Sequence, residues 1–450
     1  MSKAICAIST PIGNGGISIV RVSGDNVTNI VNKITNKDTN NFEPRKLYLT
    51  KIKTGNFYDN ALVVFFRGPN SYTGEDMIEI QCHGGILIAK GILNSLLSNG
   101  AVLAENGEFT KRAFVNGKIS LDKAEGVIDM INAESENSIK AGYNLLSGKL
   151  FEKINNLQSY LTDCLAEMEV ILDYPEEDID YVNNKKINNN LDKVTSQLEE
   201  LLLTCKTGKQ VKNGINVSIL GKPNVGKSSL LNALLGYDRA IVTNIAGTTR
   251  DTIEEKYNYN GLTFNIIDTA GIRESKDTVE AIGIQKAQDS LQTADIVLMV
   301  LDLSEQLSQE DINILNLIKN KKVILVLNKN DLPNKLNIND GQLLSFANKI
   351  YVSAKNIENI NNLKQKIYDL VVNKDILNNS ILITNTRHEN ALRMSLSFIN
   401  DARQLIKDGE SLDLIILEVK NAWLELGKIT GQTNNEEIIN TIFSKFCLGK

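Results

Sequence analysis

The 450-residue chain is 42% hydrophobic and 23% charged, the balance of a soluble globular protein, and its length asks for two to four domains. Its five cysteines (Cys6, Cys82, Cys164, Cys205, Cys447) are scattered and lack CxxC or Cys/His spacing, which argues against a disulfide framework and a zinc site and implies a reducing compartment. A formal net charge of -5 gives no global field to hold a polyanion, so a nucleic-acid partner needs a local basic patch or a second protein.

The first residues, "MSKAICAISTPIGNGG", reach Pro11 and a glycine turn before a signal-peptide core can form. No later run of 18 apolar residues would span a bilayer, so the expectation is a cytoplasmic protein without a membrane segment. Residues 1–118 mix β-rich runs at 16–22, 61–66 and 77–82 with turn clusters, the texture of an α+β domain. From Ser120 apolar residues recur every three or four positions until Pro175, and a second helix is expected at about 187–206, so 119–212 reads as bundle helices. Residues 213–375 change texture again: "NVSIL", "FNIID", "DIVLMVL" and "KVILVLN" are short apolar runs separated by helical stretches, the pattern of a parallel sheet with crossover helices. Helical periodicity returns over 376–450. The economical reading is a multidomain chain whose α/β domain is inserted into a discontinuous α-helical domain.

"GKPNVGKSS" (221–229) fits G-x-x-x-x-G-K-[ST] between a predicted strand and the helical "SLLNALLG", the context of a P-loop. Gly221 and Gly226 let backbone N–H groups wrap phosphates at a helix N-terminus, Lys227 adds positive charge, and Ser228 offers a hydroxyl to Mg²⁺. A glycine turn that binds nothing is the alternative. "DTAG" (268–271) closes the strand "FNIID", where Asp268 can orient Mg²⁺ through water and the Gly271 amide can approach a γ-phosphate. "NKND" (328–331) ends "KVILVLN", and the Asp331 carboxylate can accept two N–H groups from guanine, a donor pair that adenine lacks on that edge. "SAK" (353–355) buttresses the same base.

Between P-loop and DTAG, "IVTNIAGTTRD" (241–251) reads as a switch loop, with Thr249 or Thr248 supplying a second Mg²⁺ hydroxyl; an ordinary turn is the alternative. The expected GTP contacts are Asn224, Val225, Gly226, Lys227, Ser228 and Ser229, then Thr243, Asn244, Ile245, Ala246, Gly247, Thr248 and Thr249. Asp268, Thr269, Ala270 and Gly271 follow, with Asn328, Lys329, Asp331, Ser353, Ala354 and Lys355 around the base. Ras-like enzymes carry a water-orienting Gln after that glycine; here the residue is Ile272. Another group must align water, and a positive charge must replace an arginine finger. Arg250 and Arg273 are available, with surface salt bridges as the bland role for each.

These residues resemble the TrmE/MnmE family of tRNA-modification GTPases. The match runs through "GGISIVRVSG", "RGPNSYTGEDMIEIQCHGG", "GEFTKRAFVNGKISLDKAEGVIDMINA", "GKPNVGKSSLLNALLG", "IVTNIAGTTRD", "DTAGIRE" and "FCLGK", essentially the whole chain. The resemblance implies a homodimer that forms a heterotetramer with a flavin-dependent, MnmG/GidA-like partner. Together they would install an aminomethyl or carboxymethylaminomethyl group at C5 of the wobble uridine of certain tRNAs, drawing one carbon from 5-formyl- or 5,10-methylene-tetrahydrofolate. It further implies K⁺ in place of an arginine finger, held by Asn224, Thr243, Ile245 and Thr248, and a water-orienting Glu280. Without the resemblance Glu280 reads as a solvated helix-start carboxylate. The N-terminal domain is implied to bind folate and to dimerise, with Arg21, Glu79, Lys118 and Lys450 as folate contacts and Glu75 as an alternative to Glu79.

The terminal "FCLGK" fits poorly with prenylation, because Gly449-Lys450 is not the aliphatic pattern of C-a-a-X. The resemblance assigns Cys447 to the modification chemistry; a buried structural thiol is the alternative. A competing function is a regulatory or ribosome-assembly GTPase whose N-terminal domain is an interaction module.

Overall fold

The computed structural model of the chain describes residues 3–173, 180–236, 255–268, 291–378, 381–433 and 436–450. Contacts divide it into two units: Met1–Ile128 with Asn144–Ser196 and Ala391–Lys450, and Asp129–Tyr143 with Gln197–Asn390.

The first unit opens with β1 (Ile5–Ile8), β2 (Ile17–Ser23), α1 (Val27–Asn32), β3 (Leu47–Lys53), β4 (Tyr58–Phe66) and β5 (Met77–His83). These are followed by α2 (Ile86–Ser98), β6 (Val102–Leu103) and α3 (Glu108–Val115). The sheet runs β3-β4-β5-β2-β1-β6, antiparallel except for the parallel β1/β6 pair. Along β2 the side chains of Ser18, Val20 and Val22 are buried while Ile19 and Arg21 are half-buried, the period of two expected of a strand covered on one face. The buried set meets Ile78, Ile80, Ile92 and Leu96 in a common core. On the other face Ile17, Leu47, Leu49 and Leu62 remain exposed.

The helical stretch after Ser120 is three helices: α4 (Leu121–Ile131), α5 (Glu136–Leu146) and α6 (Lys149–Asp173). Unbroken periodicity concealed two breaks. Ser135 starts a new helix by accepting the Ser138 N–H on its hydroxyl (3.3 Å), and Gly148 adopts φ 90°, a left-handed conformation that ends one helix and begins the next. Leu150, Ile154, Leu157, Leu161, Cys164 and Met168 form one buried stripe of α6. It packs against the helix Leu412–Thr430, whose Ile415, Val419, Ala422, Leu426 and Ile429 are buried. Each such side chain contributes roughly 1.5–3 kcal/mol on burial, the smaller alanine less. Two further helices, α7 (Asp180–Leu203) and α8 (Cys205–Asn213), precede the second sheet.

That sheet contains β7 (Ile215–Leu220), β8 (Glu255–Tyr259), β9 (Leu262–Asp268), β10 (Ile296–Asp302), β11 (Val323–Asn328) and β12 (Lys349–Tyr351), with α9 (Lys227–Leu235) after β7. The order is β12-β11-β10-β7-β9-β8, parallel except for the antiparallel edge pair β8/β9. All residues of β10 and β11 are buried, as in a sheet covered on both faces. Alternation divides β10 between two cores: Ile296, Leu298 and Val300 face one, Val297, Met299 and Leu301 the other. The chain therefore has the architecture read from its sequence: an α+β N-terminal part, helices from distant segments, and an inserted Ras-like α/β domain.

Candidate functional site

The C-terminal ends of β7, β10, β11 and β12 lie along one edge of the second sheet, where a parallel α/β fold places its ligand. Chain leaving β7 turns at Gly221 (φ 150°), where a Cβ would stand 2.5 Å from the Val300 carbonyl oxygen. Asn224 (φ 63°) and Gly226 (φ 97°) are left-handed, which curls the loop and delivers Lys227 as the first residue of α9. A side chain at Gly226 would collide with the Asn328 amide. Lys227 Nζ donates to the carbonyls of Gly221 and Lys222, both at 2.7 Å, so the ammonium is folded across the loop. Ser228 and Ser229 are exposed in the first turn of α9, at the N-terminal end of the helix, and Val225 is buried beneath the loop.

The base loop is tied to the P-loop through the side chain of Asn328. Asn328, at the end of β11, is 2% exposed; its Nδ2 donates to Val225 O (2.8 Å) and its Oδ1 accepts the Ala354 N–H (3.1 Å). The motif marks this asparagine in the sequence, but its bridging of the P-loop to the loop after β12 is visible only in three dimensions. Ser353 Oγ donates to Asp331 Oδ1 at 2.6 Å, and this bond, chiefly, holds the Asp331 carboxyl below the ordinary value. Lys355 is exposed nearby in sequence.

Sequence reasoning missed the acidic supports. Asp302, at the end of β10, pairs with Lys329 Nζ at 2.5 Å and accepts the Ser304 N–H and hydroxyl at 2.9 and 2.7 Å. Burial pushes its carboxyl up, and the lysine and serine bonds outweigh that and leave it below the ordinary value. Lys222 in the P-loop pairs with Glu305 (2.9 Å) and Asp311 (3.2 Å); burial lowers its ammonium, but these partners raise it overall. Asp311 is fixed by a reciprocal capping box with Ser308 at the start of the helix Gln309–Ile318. An Asp following an apolar strand carries no motif, so only the strand register Asp302↔Asn328 could have pointed to it.

The remaining nucleotide and cation assignments fall outside the described residues: Thr243, Asn244, Ile245, Ala246, Gly247, Thr248, Thr249, Thr269, Ala270, Gly271 and Glu280. So do Arg250, Ile272 and Arg273, and the side chain of Asp268, whose backbone ends β9.

A second constellation lies on the N-terminal sheet. The β2/β5 register sets Arg21 opposite Glu79, and Glu79 Oε1 accepts from Arg21 Nη2 (2.8 Å) and Nε (3.0 Å). Both side chains are about 15% exposed, and the guanidinium lies over the rings of Tyr72 (5.6 Å) and Phe109 (5.5 Å). They line a cavity of 380 Å³ with Arg45, Phe66, Tyr72 and Lys118. Burial pushes the Tyr72 hydroxyl up. Glu75 is engaged elsewhere, with Arg112 (3.1 Å) and the Ser23 hydroxyl (2.9 Å), so the carboxylate in the cavity is Glu79.

The tail reaches the same part of the sheet. Phe443 and Phe446 pack with Leu121 and Ala124, Leu448 bridges Asn106, and the Gly449 carbonyl lies 3.5 Å from Arg21 Nη1. Lys450 donates its N–H to Cys447 O and does not line the cavity. Cys447 is exposed, which removes the buried-thiol alternative, whereas the other four cysteines are buried. Burial pushes the thiols of Cys6 and Cys164 up to about 12 and that of Cys82 to about 11.

A strand, glycine loop and helix joined through Asn328 to an NKxD loop define a P-loop GTPase domain, carried here with a β-rich cavity domain. Residues 4–118 match the family model for the GTP-binding protein TrmE N-terminus, and residues 121–447 that for the MnmE helical domain. A relative from Clostridioides difficile (strain 630), tRNA modification GTPase MnmE, is 43% identical over 100% of both chains. The protein of that name from Carboxydothermus hydrogenoformans is 44% identical, again over 100% of each. Among solved structures, the G domain of the T. maritima FeoB iron transporter is 30% identical over 35% of this chain and 99% of its own, at a TM-score of 0.28, too low to bear on the fold. The chain belongs to the MnmE family of tRNA modification GTPases.

Proposed function

We propose that this chain binds and hydrolyses GTP in the service of tRNA modification. With a flavin-dependent partner it would add an aminomethyl or carboxymethylaminomethyl group to C5 of the wobble uridine. The observation that carries the nucleotide half is the Asn328 bridge, which sets the Asp331–Ser353 pair and the P-loop at one sheet edge. Asp331 is the guanine reader, and Lys227 with the N–H groups of the first turn of α9 holds the phosphates. Ser228, with Thr249, takes Mg²⁺. Asn224, exposed at the left-handed turn of the P-loop, has an amide oxygen suited to K⁺, and Thr243, Ile245 and Thr248 complete that set while Glu280 orients water.

The cavity around Arg21 suits a tetrahydrofolate. Glu79 can accept pterin N–H groups, Tyr72 and Phe66 offer ring faces, and Arg21 and Lys118 favour an anionic glutamyl tail. The Gly449 contact with Arg21 supports a role for the tail, to which Cys447 and Lys450 belong. An exposed apolar sheet face of Ile17, Leu47, Leu49 and Leu62 supports homodimerisation through the N-terminal domain. The heterotetramer, a cytoplasmic setting and the division at 1–118, 119–212, 213–375 and 376–450 belong to the same proposal. Among the described residues no helix is long and apolar enough to cross a membrane. The test is GTP turnover by the purified chain together with wobble-uridine analysis of tRNA from cells lacking it. A chain that turns over GTP but whose loss leaves every wobble uridine modified would defeat the tRNA half.

A further inference from the structure

We propose that Asp302 is a positioning residue for the nucleotide base: it anchors the ammonium of Lys329, so that the lysine's aliphatic stem becomes a fixed wall for the face of the base whose edge Asp331 reads. The proposal rests on the reading of 328–331 as the base loop. Asp302 and Asn328 are register partners at the ends of β10 and β11, so Asp302 stands one residue from Lys329 across the sheet. Its side chain is 2% exposed and that of Lys329 is 32% exposed. The carboxylate is thus sunk at the strand end while the lysine side chain stays partly open.

Both carboxylate oxygens are committed, Oδ1 to Ser304 and Oδ2 to Lys329. A buried carboxylate is tolerated only when paired, so anchor and lysine hold each other. Lys329 has φ 62°, a backbone conformation that L residues seldom adopt, and its carbonyl accepts the Leu332 N–H (3.0 Å) as the loop turns toward Asp331. A free lysine loses much rotamer freedom when a ligand immobilises it. An ammonium already tied to Asp302 has lost that freedom before the nucleotide arrives, and preorganisation of this kind appears in affinity rather than in the chemical step.

Asp302→Asn tests the idea, because the amide keeps the shape and can still accept from Ser304 while losing the charge that holds Lys329. Losing one charge-assisted anchor should raise the Kd for GDP and the KM for GTP about tenfold, with kcat changed less than about twofold. In a Lys329→Met background, where an apolar stem remains without an ammonium, Asp302→Asn should weaken GDP no further, and relief of the unpaired buried carboxylate can restore part of the affinity. In an Asp331→Asn background the same Asp302→Asn change should raise the Kd for XDP by the factor seen for GDP, since a wall contact does not depend on the base edge. Full additivity of Asp302→Asn and Lys329→Met would overturn the role of Asp302 while the base-loop reading stands. Absence of any xanthine preference in Asp331→Asn would overturn the base-loop reading and the proposal with it. If Asp302→Asn does not fold, Asp302→Glu, which keeps the charge and changes its reach, enters the same cycle with the same criteria.

Discussion

Truncating Asn328 to alanine removes a side chain that joins the P-loop to the loop after β12. The site is 2% exposed, so water does not replace it freely, and the Val225 carbonyl and the Ala354 N–H lose partners at 2.8 and 3.1 Å. Each orphaned buried group costs roughly 1–3 kcal/mol, so Asn328→Ala should destabilise its unit by about 2–6 kcal/mol. For a unit of this size that lowers the melting temperature by roughly 4–24 °C. The loss should be larger in saturating GDP than in nucleotide-free protein, because GDP binding needs both loops set against each other, and the Kd for GDP should rise at least about tenfold. Differential scanning fluorimetry with and without GDP, plus fluorescent-GDP titration, reads both quantities. Wild-type melting and wild-type GDP affinity together would refute the argument that Asn328 is the tie between the loops.

Asp331→Asn should shift preference from guanine to xanthine nucleotides, because a donor now faces an edge where guanine presents donors; unchanged GTP affinity would sink the assignment. Asp331 is held below the ordinary carboxylate value of 3.8, chiefly by Ser353, so its contribution is fully present above that value and fades only as pH falls further. Guanine preference measured at pH 5 should therefore equal that at pH 7.5. Potassium should accelerate GTP hydrolysis far more than sodium at equal ionic strength, and Asn224→Ala should erase the difference; equal rates for the wild-type chain in both salts would contradict the cation reading. Cys447→Ser should leave melting and GTP turnover intact, since the thiol is exposed, while wobble-uridine modification fails. Full modification by the folded variant would dismiss a chemical role for the thiol.

The P-loop and NKxD parts of the candidate nucleotide site were legible because their chemistry is local: a P-loop needs glycines at fixed spacing, and an NKxD loop needs its carboxylate just past a strand end. Asp302 and Asp311 were not, since their partners Lys329 and Lys222 are brought to them by strand order and helix capping rather than by spacing. Periodicity found the helices after Ser120 but not their breaks, because one capping serine and one left-handed glycine hardly disturb an apolar repeat. The choice between Glu75 and Glu79 likewise needed the fold. The two lie four residues apart in sequence, and only the register that sets Glu79 opposite Arg21 and the competing pull of Arg112 on Glu75 assign Glu79 to the cavity. The exposure of Cys447 could not be read from residues that resemble the end of a buried helix.

The most direct measurement is quantitative nucleoside analysis of tRNA from cells in which the chromosomal copy is deleted and then replaced. The account predicts that C5-aminomethyl and carboxymethylaminomethyl wobble uridines disappear on deletion and return with the wild-type chain. They should not return with Lys227→Ala, which leaves the cavity around Arg21 and Glu79 intact but removes the ammonium proposed to hold the phosphates. Retention of these nucleosides in the deletion strain, or full restoration by Lys227→Ala, would contradict it.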